Sequence, residues 1–100
     1  MAKQSVIQRE LKRKTLIGKF AVQRSALLEE LQKDPSFEKK LILQKRIQKL
    51  PRDTSRVRSR NRCAQTGRAR GYFRHFDLSR HMLRDCGHVG LIPGLTKSSW

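Results

Sequence analysis

Between Arg52 and Phe76 the chain places eight arginines, no lysine and a single acid, Asp53, in 25 residues. Such a run cannot neutralise itself, and its expected partner is a polyanion. Guanidinium groups grip phosphate with two parallel hydrogen bonds and can lie flat on a base. Tyr72, Phe73 and Phe76 stand at the end of the run, where aromatic rings can stack on an unpaired base. Without its ligand the stretch reads as an irregular loop, punctuated by Gly67 and Gly71, that gains order on binding.

The rest of the composition points the same way. Of 100 residues, 36% are hydrophobic and 32% charged, against a usual apolar share of roughly 45–50%. So short and polar a chain builds little independent core. Its formal charge is +16 and its sequence pI near 11.3, which leaves association to electrostatics. An anionic membrane is a poor match, because the longest aliphatic run is Leu41-Ile42-Leu43 and a bilayer needs about 20 apolar residues. No secretory signal follows Met1. An organelle transit peptide is suggested by the basic, amphipathic first 24 residues, whose one acid is Glu10; it is set aside because Ala2-Lys3-Gln4 leads straight into helix. Cys63 and Cys86 form no disulfide framework, so a reduced compartment is expected.

The periodicity predicts a mostly α fold: an extended N-terminal helical pair, the irregular arginine-rich loop, then a short C-terminal helix and turn. Ile7, Leu11, Phe20, Leu27, Leu28 and Leu31 mark a helix over 3–33, interrupted by Thr15 and Gly18. Asp34 is expected to cap a second helix with Pro35 in its first position. That helix carries Phe37, Leu41, Leu43, Ile47 and Leu50 as a seam shared with the first, and Pro51 ends it. Nine of ten lysines precede Pro51, whereas ten arginines and only Lys97 follow it. The first half reads as a diffuse basic brace and the second as the docking part. Further on, Asp77 or Ser79 is expected to cap a short helix holding Leu78, Met82, Leu83 and Cys86, with Gly87 ending it. Trp100 is expected to pack back on that helix or on a partner.

No chemistry is indicated. Cys63, His75, His81, Cys86 and His88 are possible zinc ligands, but neither cysteine has a second one at CxxC spacing, which is what preorganises a tetrahedral site. The eight acids are scattered, Glu29-Glu30 being their one adjacent pair, and no nucleophile or phosphate-loop motif occurs. No catalytic residue, cofactor, metal or small-molecule substrate is therefore assigned. Between nucleic acids, RNA is preferred: DNA-reading modules present a recognition helix or zipper, whereas irregular basic segments suit folded RNA.

Asn61-Arg62-Cys63, Thr66-Gly67-Arg68-Ala69-Arg70-Gly71, Phe76-Asp77-Leu78-Ser79-Arg80, Leu91-Ile92-Pro93-Gly94 and Lys97-Ser98-Ser99-Trp100 occur in that order. With Leu50-Pro51-Arg52 and the opening Met1-Ala2-Lys3-Gln4-Ser5, this series resembles ribosomal protein fourteen of the bacterial-type small subunit, over the whole chain. Its short form binds zinc through CxxC…CxxC; its long form has an N-terminal helical extension and no metal. This chain resembles the long form: Cys63 keeps the first ligand position, while Thr66, Ser79 and Met82 fill the other three. It departs from the family at Asp53 (usually asparagine), Ala69 (usually proline) and Asp77 (usually glycine).

The resemblance implies a structural rRNA-binding protein in the head of the small subunit (the 3′ major domain), near the decoding region, beside ribosomal proteins three and ten. It would act in assembly and translation, in bacterial cytoplasm, plastid or mitochondrion. On this reading residues 1–51 are the brace and 52–100 the rRNA-binding region. The expected RNA contacts are Arg52, Arg56, Arg58, Arg60, Arg62, Arg68, Arg70, Tyr72, Phe73, Arg74, Arg80, Lys97 and Trp100. The competing reading is a free-standing nucleic-acid-binding protein or chaperone.

Overall fold

Alanine, leucine, lysine and glutamine dominate the first third of the chain, all strong helix formers, and the first element follows from them. In a computed structural model that describes residues 2–98, α1 runs Gln4–Gln32 without a break at Thr15 or Gly18. The Thr15 hydroxyl bonds back to the carbonyl of Leu11 at 3.0 Å, so its polar group is absorbed within the helix. Two further helices follow, α2 (Phe37–Lys49) and α3 (Arg80–Val89). The fold is mostly α, as the periodicity predicts.

The chain divides into two compact units, one of Met1–Ile7 with Arg60–Trp100, the other of Gln8–Ser59. In the Gln8–Ser59 unit, the link between helices differs from expectation. Asp34 does not cap α2; it adopts a left-handed φ of 51° after the last turn of α1, and its carboxylate pairs with Lys40 Nζ at 3.0 Å. Ser36 holds the N-cap position instead, and Pro35 lies outside the helix. Aspartate tolerates the left-handed region better than most residues, so it serves as the stop of one helix rather than the start of the next.

The expected seam also narrows. Leu43 is buried and Ile47 and Leu50 are half-buried, whereas Phe37 and Leu41 are exposed. At about 100° per residue, Leu43, Ile47 and Leu50 share one stripe of α2, and Phe37 sits about 120° away from Leu43. Five apolar residues on so short a helix occupy two faces, and only one of them is covered.

Charge organises the remainder of this unit. Glu10, only 3% exposed, accepts hydrogen bonds from Ser59 Oγ (2.9 Å) and Arg13 Nη1 (3.2 Å). Asp53 pairs with Arg58 (2.9 Å) and Arg13 (3.5 Å). Buried Thr54 donates to the carbonyl of Pro51 and accepts from Arg24 at 3.2 Å. These contacts hold 52–58 as two 3-10 turns, Arg52–Thr54 and Arg56–Arg58, within the otherwise irregular arginine-rich loop.

In the other unit, the chain folds into a two-stranded antiparallel hairpin, β1 (Tyr72–Phe73) and β2 (Leu78–Ser79), with Tyr72 opposite Ser79. Leu78 is thus a strand residue rather than the first turn of α3. Asp77 takes φ 52°, the region that glycine occupies at no steric cost, and its carboxylate accepts the Tyr72 hydroxyl. α3 does not end at Gly87 but at Gly90, whose left-handed φ of 83° lets its N–H and that of Leu91 close on Gly87 and Cys86 carbonyls. Gly87 lies inside the helix because Leu95 packs there: a Cβ at 87 would stand 2.5 Å from Leu95 Cδ2. Trp100 lies outside the described residues. Among the described residues the buried apolar side chains are Leu43, Cys63 and Cys86, so the core is small.

Candidate nucleic-acid interface

The site begins with a five-residue turn, Cys63 to Gly67. The Gly67 N–H bonds to the carbonyl of Cys63 and the Cys63 N–H to the carbonyl of Arg68, both at 2.9 Å. These bonds bring the chain back beside itself and set Arg62 and Arg68 at the two ends of one closure. Gly67 makes the turn possible: its φ is 73°, and a Cβ would lie 2.8 Å from Ile7. The Ala64 N–H to Asp77 carbonyl bond (2.9 Å) and the Arg80 N–H to Gly71 carbonyl bond (2.7 Å) then tie the turn and α3 to the hairpin.

At the centre of the turn is buried Cys63. Burial alone pushes its thiol up, but the Thr66 hydroxyl and the amides of Thr66, Ser79 and Gln65 face the sulfur and more than offset that, bringing it down to about 6. A thiolate is the form these donors favour. Thr66, Ser79 and Met82, at the positions where the short form has its other ligands, offer no second thiolate, so the residues present do not fit zinc. Among the described residues no group of three or more His, Cys, Asp and Glu is placed to hold a metal. The turn is closed instead by backbone bonds and by Arg62, whose Nη1 donates to the carbonyl of Gly67 at 2.9 Å.

Arg62, Arg68 and Arg70 line one cleft of about 480 Å³, together with Ala2, Thr66, Ala69, Ser79 and His81. No acid lines it. Three guanidinium groups around a concave surface of that kind suit a phosphate backbone. A second cleft of about 380 Å³ is walled by Phe73, Leu83 and Leu95 and rimmed by Arg80, His81, Arg84, His88 and Lys97. Exposed Phe73 beside this basic rim is placed for stacking.

The predicted contacts therefore fall into groups. Arg62, Arg68 and Arg70 come together, and so do Phe73, Arg80 and Lys97. Arg60 and Arg74 are exposed in the same unit. Tyr72 is half-buried and engaged with Asp77, and that hydrogen bond raises its phenol. Arg52, Arg56 and Arg58 belong to the Gln8–Ser59 unit, where Arg58 is paired to Asp53. Arg84 joins the basic rim, beside His81 and His88, without having been singled out as a contact. The signal was present: residues 80, 84 and 88 recur every four, the spacing of one helix face.

A family profile described as "Ribosomal protein S14p/S29e" matches residues 46–99. Over the full length of both chains, the sequence is 59% identical to the small ribosomal subunit protein uS14c of Emiliania huxleyi and 53% identical to that of Mesostigma viride. It is 50% identical, again over both full lengths, to the small ribosomal subunit protein uS14 of Acaryochloris marina. With the three arginines of the cleft and the short helix inside the matched region, and relatives similar over the full length, the chain belongs to the S14p/S29e family of ribosomal proteins.

Proposed function

We propose that this chain is a structural constituent of the small ribosomal subunit, a protein that binds rRNA and catalyses nothing. The observation that carries the reading is the convergence of Arg62, Arg68 and Arg70 on one cleft that no carboxylate lines among the described residues. Phosphates of folded RNA supply the missing counter-charge. The basic rim around Phe73 extends the same surface along α3. Within the subunit, the chain binds rRNA of the head near the decoding region, supports assembly of that domain, and sits beside ribosomal proteins three and ten. Residues 52–100 carry most RNA contacts, and the helices before them act as the brace. Relatives of plastid and cyanobacterial type favour a plastid or bacterial ribosome over a mitochondrial one.

The test is replacement of Arg62, Arg68 and Arg70 together by alanine in cells expressing the tagged chain. Incorporation into small subunits, followed by sedimentation, should be lost, while the far-ultraviolet circular dichroism of the purified variant stays helical. Normal incorporation of the triple variant would refute the docking role.

A further inference from the structure

The Gln8–Ser59 unit carries an apolar-walled groove of its own. Ile17, Ala21, Ser25 and Leu28 recur at helical spacing along α1, and with Val22 they form one wall of a groove. Thr54, Ser55 and Val57, from the two 3-10 turns, line it too. Val57 is 90% exposed and Val22 81%. Valine offers RNA neither charge nor a hydrogen bond, and protein–nucleic-acid interfaces are polar and strongly basic. An apolar patch rimmed by polar groups is instead the mark of a protein-binding face.

The rim says what kind of protein. Among the described residues, the charged ones lining the groove are Arg24 and Arg56. Arg24 is steadied by its bond to Thr54 at 3.2 Å, and a guanidinium with five N–H donors has more to offer after that one. A cationic rim around an apolar floor selects carboxylates beside apolar side chains. A second copy of this chain is the wrong occupant, because its net charge of +16 repels its like. From Ile17 to Leu28 the groove is about 16 Å long, at the helical rise per residue, which is room for about three turns of helix or five residues of extended chain.

We infer that the groove between Val22 and Val57 docks an apolar, carboxylate-flanked segment of a neighbouring protein in the particle. The inference rests on the ribosomal reading above. So small a face does not reach the area of a stable binary complex, roughly 800 Å² per partner, so docking works within the assembly, where rRNA has already placed both proteins.

The experiment puts a benzophenone-bearing amino acid at Val57 of the tagged full chain, isolates small subunits by sedimentation, irradiates them and identifies what is joined to the chain. Expected is a crosslink to one protein, at a segment with aliphatic residues next to Asp or Glu. A companion Val22→Asp/Val57→Asp variant should release that protein about tenfold more readily in a salt wash while itself remaining in the subunit. Crosslinking to rRNA, to a second copy, or to nothing in subunits that contain the chain would overturn the inference and leave the ribosomal reading standing. Absence of the chain from subunits would overturn both.

Discussion

Cys63 shows how a single side chain records the balance of forces in its turn. The sulfur is buried, which favours the thiol, and it faces several donors, which favour the thiolate; the donors win and the group titrates near 6 instead of its ordinary 9.0. The thiolate absorbance of the native chain near 240 nm should therefore rise with a midpoint close to pH 6, and Cys63→Ser should remove that step. The sign of the stability effect follows. A folded-state value below the unfolded one stabilises the fold fully above about pH 9, less as pH falls, and not at all once pH drops through the folded value near 6. The urea midpoint of the native chain should thus pull away from that of Cys63→Ser as pH rises from about 5 to 8; a constant gap would show the ionisation to be uncoupled from folding. Asp77 is the other instructive residue. It takes a positive φ and uses its carboxylate to hold Tyr72; the resemblance, which puts glycine there, hinted at the backbone demand but not at the hydrogen bond.

At the level of elements, the helices were legible and the joins between them were not. The period of leucine and isoleucine located α1 to within a residue at each end, because helix propensity and periodicity agreed over many turns. Asp34-Pro35 misled because aspartate serves a left-handed stop as well as an N-cap, and only the geometry distinguishes the two. The hairpin Tyr72–Ser79 was hidden by its brevity, since two residues per strand show no alternation. The 3-10 turns were hidden by charge: nothing local tells that Asp53 reaches Arg13, 40 positions earlier. The two stripes of α2 give a direct check. Leu43→Ala should cost about 2–3 kcal/mol of stability, at the low end for a buried leucine, whereas Phe37→Ala should cost less than about 0.5 kcal/mol. Denaturant midpoints of the two variants decide it; equal losses would mean that both faces of α2 are covered.

For the molecule as a whole, electrostatics sets the scale of binding. If about ten phosphates are neutralised, the logarithm of affinity for an rRNA fragment should fall against the logarithm of salt with a slope of roughly −7 to −9. Alanine at Arg62, Arg68 and Arg70 should flatten that slope by about 2–3, as measured by filter binding across a salt series. A slope near zero would mean that the charge is ornamental to the interaction. Composition alone disclosed the polyanion. It could not disclose which cations act together, because that depends on one turn folding back at Gly67 and one helix repeating every four residues.

The smallness of the interior has a further consequence for the cell. With Leu43, Cys63 and Cys86 as the buried apolar side chains among the described residues, the chain has little free energy holding it shut, and segments that open readily are what proteases cut. Copies made in excess of rRNA would be cleared quickly, so the supply of this protein would be matched to that of its particle by turnover, without a dedicated sensor.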